Sequence, residues 1–272
     1  EALPLIGLGL MLASFAFKVS AVPFHFAAPD AYAGAPGPVA GVLATAGKAM
    51  GFLALMRVLI GVTLGDGESE WLVLLGIIAA ITMTWGNVAA LGSKNPKRML
   101  AYSSVAHAGY VLAGIAAIGA IGTGDAATLL TTAVIFHLAV LVTFKLGAFL
   151  VISLLEIEGR GHDLAHFNGL ARRDPLIALT MFIFMLALAG VPPLSGFLSK
   201  LLMVNGIISS TIGDVSSASL SDLTGTLSWV FWLAILIFIN SAFSLFYYLR
   251  IGVVMFFEDS DRNVRLARAP LL

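Results

Sequence analysis

The sequence predicts an all-α fold, a polytopic transmembrane helical bundle with two helices interrupted by proline. Three observations lead there. Apolar residues make up 59% of the chain and charged residues 11%, where a soluble domain carries roughly a quarter charged. Mean hydropathy is +0.99, and stretches long enough to cross a hydrocarbon core of about 30 Å recur along the chain. Backbone groups in lipid need internal partners, and the short alternating segments of a membrane barrel are absent, so these stretches read as helices. Their number excludes a signal peptide as the explanation.

Seven apolar segments follow in order: 3–22, 37–63, 71–92, 99–121, 126–155, 176–212 and 227–257. The first runs into a Val-Pro pair at Val22 and Pro23. The sixth is too long for one simple crossing and contains "AGVPPLSG" (189–196). Pro192 and Pro193 remove two amide donors and clash with the preceding turn, which breaks the helix near its middle. Segments one and six both lead apolar residues into a Val-Pro break, and they are five segments apart, so they cross the membrane in opposite directions. Paired interrupted helices of opposite sense are the trace of an inverted repeat and point to a transport site.

The connections carry an asymmetric charge. One set holds Lys94, Lys97 and Arg98, then Arg160, Arg172 and Arg173, then Arg262, Arg265 and Arg268. The opposite set, 64–70, 122–125 and 213–226, holds Asp66, Glu68, Glu70, Asp125, Asp214 and Asp222 without Lys or Arg. The positive-inside rule places the N-terminus outside and the C-terminus inside. The chain begins at Glu1 beside an apolar helix and ends on "RAPLL", so it is expected to be an internal part of a longer membrane protein. All of it, 1–272, reads as part of one transmembrane domain.

Composition also restricts the chemistry. With no cysteine there is no disulfide, no thiolate metal site and no Cys-ligated iron–sulfur cluster. Neither a Walker loop nor a complete Gly-x-Gly-x-x-Gly is present. No cofactor, metal or nucleic acid is expected, and redox chemistry, if the protein serves it, is elsewhere.

Chemistry-bearing residues are found inside the apolar segments instead. Lys18, Lys48, Lys145 and Lys200 each cost roughly 2.5–3.5 kcal/mol at a helix centre on insertion scales. Lys48 lies about eleven residues into its segment and Lys145 about ten from the inner end of its own, too deep to snorkel comfortably. Lys200 is seven residues past the second proline; Lys18 lies close enough to Pro23 for snorkelling to compete. None of the fifteen Asp and Glu residues falls within the seven segments. Burial disfavours the charged form of an amine, so lysines without carboxylates are expected to exchange protons in a way surface lysines do not. Alternatively, a carboxylate partner lies outside this chain.

Polar stripes accompany the lysines: Ser103, His107 and Tyr110; Asn240, Ser244 and Tyr247; Gly41, Thr45 and Lys48. Each stripe alone is compatible with ordinary interhelical hydrogen bonding. An unperturbed imidazole titrates near neutral pH, so His107 is expected to bridge lysines as a relay, and His137, two turns from Lys145, suits the same role. His25, His162 and His166 fall near breaks or loops and read as structural or solvated. Proline breaks free backbone carbonyls beside Lys18 and upstream of Lys200, and water at those carbonyls would link the lysines into a chain.

Three stretches carry a resemblance: "FKVSAVPFHFAAPDAYAGAPGPVAGVLATAGK" (17–48), "GNVAALGSKNPKRMLAYSSVAHAGY" (86–110) and "LAGVPPLSGFLSK" (188–200). They resemble the antiporter-like membrane subunits of respiratory complex I, NADH:quinone oxidoreductase, with subunit N the nearest of the group. The resemblance covers nearly the whole chain and implies helices seven to thirteen of fourteen. It implies a proton-translocating module of two inverted five-helix repeats, without redox cofactor, in a bacterial or archaeal inner membrane. Neighbouring antiporter-like subunit M and the K-type subunit would be its partners. By position, Lys18 matches the lysine of the broken seventh helix, Lys48 the bridging lysine of the eighth, and Lys200 the lysine of the broken twelfth. The family's paired glutamate would precede Glu1. Lys145 departs from the subunit N pattern and is more similar to subunit L and the multisubunit sodium/proton antiporters. The expected function is proton translocation through Lys18, Lys48, Lys145, Lys200 and His107, coupled to quinone reduction elsewhere. A subunit of a multisubunit sodium/proton antiporter or of a related membrane-bound dehydrogenase or hydrogenase, and a non-conducting spacer of a membrane arm, are the alternatives.

Overall fold

The computed structural model describes residues 2–63, 70–212, 228–259 and 266. Eleven α-helices and one short 3-10 turn form among these residues, and no strand. In chain order the helices are α1 (Ala2–Val19), α2 (Ala27–Gly34), α3 (Gly37–Ala44), α4 (Ala46–Thr63), α5 (Glu70–Gly92) and α6 (Pro96–Ile121). There follow α7 (Asp125–Ile157), α8 (Leu170–Arg173), α9 (Pro175–Ala189), α10 (Ser195–Ile212) and α11 (Ser228–Phe257). The 3-10 turn is Leu164–Phe167. The acidic connections 64–69 and 213–226, and Arg262, Arg265 and Arg268, lie outside the described residues; Glu70 opens α5.

Among the described residues, five helical runs are long and apolar enough to cross a membrane: Gly37–Leu59, Trp71–Gly92, Pro96–Ile121, Asp125–Ile157 and Trp229–Phe257. The first contains both α3 and α4. Apolar helices α1, α9 and α10 flank the two breaks. At 33 residues and about 1.5 Å per residue, α7 is about 50 Å long and overhangs a hydrocarbon core.

Helix α6 is the centre of the bundle, buried from nearly every side, with α5, α7, α10 and α11 packed against it. Its start follows from sequence: the Asn95 side chain accepts the amides of Lys97 (2.9 Å) and Arg98 (3.2 Å), and Pro96 occupies the first turn. Helices α5 and α6 touch backbone to backbone. A Cβ at Gly86 would lie 2.4 Å from Ala106 N, and one at Gly109 2.4 Å from Met83 N. Outward faces carry exposed Ile77, Ile81, Val88, Phe238 and Phe246, as a bundle surrounded by lipid or by other apolar protein requires.

The two proline breaks share one local design. Helix α1 ends with Ser20 at φ 62°, the Ser20 amide donating to Phe17 O and the Ala21 amide to Ala16 O. Helix α9 ends with Gly190 at φ 87°, Gly190 N donating to Ala187 O and Val191 N to Leu186 O. Both are Schellman caps. They place Ser20 over Gly190 and Pro23 over Pro193, one residue out of step with the Val-Pro match in the sequence. Val22–Pro23 and Pro192–Pro193 are both cis.

A third interruption carries no proline. The apolar run 37–63 reads as a single helix, but Thr45 leaves helical geometry at φ −120°, ψ −84° and divides it into α3 and α4. Its hydroxyl donates to Gly41 O at 2.7 Å, a back-bond that bends helices.

Two loop cations prove to be buried. Lys97 has 2% of its side chain exposed, and its Nζ donates to Glu156 Oε1 (2.6 Å) and Ala35 O (2.8 Å). Arg173, 3% exposed, forks onto Glu158 at 2.9 and 3.1 Å. Because α7 continues to Ile157, two residues beyond the expected end of that segment, Glu156 is a helical carboxylate.

Candidate functional site: a buried lysine–histidine cluster

Lys48, Lys145 and Lys200 are each at most 6% exposed, from α4, α7 and α10. Helix propensity and apolar flanks carry each of them inward, but they end in different surroundings. Lys48 Nζ has no hydrogen-bond acceptor among the described residues and lies 5.6 Å from the Tyr32 ring, a weak cation–π contact. Lys145 Nζ donates to Ser104 Oγ at 2.9 Å. Lys200 Nζ donates to Leu188 O (3.1 Å), Ala189 O (2.8 Å) and Ser241 Oγ (2.8 Å), and lies 5.6 Å from the Tyr110 ring. The Schellman cap leaves the carbonyls of Leu188 and Ala189 without helical partners, and Lys200 takes both.

A cavity of about 20 Å³ joins Lys48, Lys145, Ser104 and His107, with Thr45 on its wall. About 10–15 Å³ suffices for one water where polar groups surround it. From the cavity, polar contacts continue inward. His107 Nδ1 is 3.3 Å from His137 Nε2, and His137 Nδ1 is 2.9 Å from Ser199 Oγ. Ser199 is the neighbour of Lys200 on α10. Two ring nitrogens facing each other share one proton between them, so this run has the makings of a proton path.

His107 has a second branch. Its Nε2 lies 3.3 Å from Tyr248 OH, and the Tyr247 and Tyr248 rings are 4.5 Å apart. Tyr247 OH donates to Asn87 Oδ1 at 3.0 Å, and Asn87 Nδ2 donates to Tyr110 OH (3.0 Å) and Asn240 Oδ1 (3.1 Å). Thus α5, α6 and α11 are tied by one amide.

Of the expected residues, Lys48, Lys145 and His107 meet at the cavity, and Lys200 is reached through His137 and Ser199. Lys18 stands apart at the exposed end of α1. Its stem nevertheless crosses Gly51, where a Cβ would come within 3.0 Å of Lys18 Cγ, one turn from Lys48. Ser103 and Ser244 bond their own helix backbones. His25 packs edge-on against Trp85, and His166 Nδ1 accepts the Gly161 amide at 3.0 Å. Sequence reading missed Ser104, Ser199, Ser241, Tyr248 and Asn87. Four of them, all but Asn87, are immediate neighbours of residues it selected, which is the only signal the chain offers. No group of three His, Asp or Glu placed to hold a metal occurs among the described residues.

A larger cavity of about 380 Å³ opens between the α9–α10 break and α11, walled by Phe197, Leu201, Phe238 and Leu245, with Lys200 and Ser241 as its polar groups.

Comparison with known proteins gives this geometry a lineage. Residues 1–245 match the family model described as NADH:quinone oxidoreductase/Mrp antiporter, TM. NADH-quinone oxidoreductase subunit N 2 of Sorangium cellulosum is 38% identical over 274 residues, covering 98% of this chain and 49% of that one. Subunit N of Salinibacter ruber is 40% identical over 258 residues, covering 94% and 46%. The chain therefore spans about half the length of the curated relatives it matches. A chain of respiratory complex I from Thermus thermophilus superposes with TM-score 0.72 at 32% identity, covering 96% of this chain and 52% of that one. One from the Mrp complex of Dietzia sp. superposes with TM-score 0.78 at 25% identity, covering 97% and 45%. On the match over residues 1–245, the chain is an integral membrane protein and belongs to the NADH:quinone oxidoreductase/Mrp antiporter transmembrane family.

Proposed function

We propose that this chain is the greater part of a proton-translocating module in a membrane-arm subunit of NADH:quinone oxidoreductase. The observation that carries the reading is the buried cluster. Two lysines and one histidine, Lys48, Lys145 and His107, line one small cavity, His137 and Ser199 extend it towards a third lysine, Lys200, and no carboxylate joins them among the described residues. A spacer gains nothing from burying amines, each of which costs several kcal/mol to desolvate.

Protons would pass from Lys18 to Lys48 across Gly51, through the cavity to Lys145 and His107, and by His137 and Ser199 towards Lys200. Each transfer needs donor and acceptor within hydrogen-bond reach or one water apart. His107 to His137 and His137 to Ser199 meet the first condition, and the cavity provides the second. The full-length protein would use about seven crossings here, with the N-terminal end outside, in a bacterial or archaeal inner membrane. Quinone reduction would occur in other subunits, with subunit M and K types as neighbours and no redox group in this chain. The test is Lys48→Ala in the assembled complex in proteoliposomes. The expected result is proton translocation reduced per electron transferred; quinone reduction with normal pumping refutes the relay.

A second reading is a subunit of an Mrp-type cation/proton antiporter. The superposition on the Mrp complex and the presence of Lys145 favour it. Sodium-dependent proton movement in vesicles without any quinone substrate would select this reading.

A further inference from the structure

We propose that Glu156 is a positioning residue for the Lys48–Lys145 pair, holding α3 in register on α7 through the buried Lys97. This rests on the relay reading above.

Helices α3 and α7 run antiparallel in a close, fixed register. A Cβ at Gly37 would lie 2.8 Å from Ser153 Cβ and 3.0 Å from Phe149 O. One at Gly41 would lie 2.8 Å from Leu146 Cδ1 and 3.1 Å from Phe149 Cβ. Glycines four apart let helices approach in this way. Further along the same face, Thr45 and Lys48 line the cavity opposite Leu141 and Lys145. A slip of one helical turn would carry Lys48 about 5.4 Å past Lys145.

Something must hold this register, because two amines at one cavity repel each other when both are charged. Glu156 is built for it. One carboxylate oxygen accepts the Gly37 amide at 2.7 Å, capping the first turn of α3 from another helix. The other takes Lys97 Nζ at 2.6 Å, and the same ammonium donates to Ala35 O on the connection leading into α3. Glu156 and Lys97 therefore grip the entry of α3 from α7 and α6 together. A second buried pair at the same end, Arg173 with Glu158, joins α8 to the end of α7. Its two residues lie at the end of α7 and on α8, and it serves as the comparison.

The test uses the full-length protein in its assembled complex, reconstituted in proteoliposomes, with protons moved per electron, quinone reduction rate and amount of assembled complex measured together. A purely structural loss lowers the amount of complex and leaves protons per electron unchanged. Glu156→Ala should lower protons per electron to the value of Lys48→Ala, and Glu158→Ala should leave the ratio at the wild-type value. Glu156→Gln, which keeps an acceptor for Gly37 N, should fall between Glu156→Ala and wild type. A Glu156→Ala ratio equal to wild type beside a lowered Lys48→Ala ratio overturns the inference alone. A normal ratio in Lys48→Ala overturns the relay, and the inference with it.

Discussion

A methyl group at Gly109 has nowhere to go between α5 and α6. The added Cβ would lie 2.4 Å from Met83 N and 2.7 Å from Met83 Cα, and these are backbone atoms that no rotamer change can move. Reaching ordinary contact at 3.4 Å means parting the two helices by about 1 Å. A gap of 0.5–1 Å already forfeits about a quarter to a half of each dispersion contact along the interface, and overpacking of a tight core costs about 1–3 kcal/mol. The same shift stretches the 3.0 Å bond from Asn87 to Tyr110 beyond bonding range, leaving a buried amide donor short of one partner. That adds about 1 kcal/mol. Gly109→Ala should therefore destabilise the full-length protein by about 2–4 kcal/mol, measured as resistance to denaturing detergent. Gly92, on α5, has nothing within 4 Å of its added Cβ, and Gly92→Ala should stay within about 0.5 kcal/mol of the parent. Equal stability of the two variants would refute the close approach of α5 and α6, and with it the placement of Tyr110.

Four further perturbations separate stability from transport. Lys48→Met replaces an ammonium without an acceptor by an apolar chain of similar length. It should raise stability by about 1–3 kcal/mol while lowering proton translocation, both read on one preparation. Lys97→Met takes the ammonium from Glu156, which is 17% exposed and keeps the Gly37 amide, and should cost about 3 kcal/mol, the low end for breaking a buried pair; the double variant Lys97→Met with Glu156→Gln should recover part of that in the same detergent titration. Ser20 holds a left-handed conformation at 4% exposure, which costs an L-residue about 1–2 kcal/mol, so Ser20→Gly should stabilise by up to about 1 kcal/mol. Tyr248→Phe removes the hydroxyl 3.3 Å from His107; a rise in the solvent isotope effect on proton translocation, at about 1 kcal/mol of lost stability, would show that this branch matters.

The lysines were legible in the sequence because an amine in an apolar helix is an exception that composition alone reveals. The proline breaks were legible too, since proline removes a donor wherever it stands. The α3–α4 interruption was not, because the back-bond from Thr45 to Gly41 O that accompanies it is also made by Thr131, Thr132 and Thr143 within the unbroken α7. Helix α6 shows a different limit. It is surrounded by other helices, so polar and apolar faces do not alternate, and periodicity cannot rank Ser103 against Ser104. Only the position of α7 shows that Ser104 receives Lys145 while Ser103 bonds its own backbone. Glu156 was hidden by a boundary: two residues decided whether it belonged to a loop or to the end of a membrane helix.

The end of α9 has a consequence for how a proton and a hydrogen bond are linked. Lys200 holds three acceptors, the carbonyls of Leu188 and Ala189 and the hydroxyl of Ser241, and a charged ammonium has three protons to give them. A neutral amine has two. Each time Lys200 lets a proton go, its two remaining hydrogens suffice for the two carbonyls, and the hydroxyl that ties α10 to α11 keeps its contact only by reversing and donating its own proton to the amine lone pair. Counting hydrogens alone makes the α9–α10 break a place where occupancy by a proton and the direction of the Ser241 hydrogen bond change together.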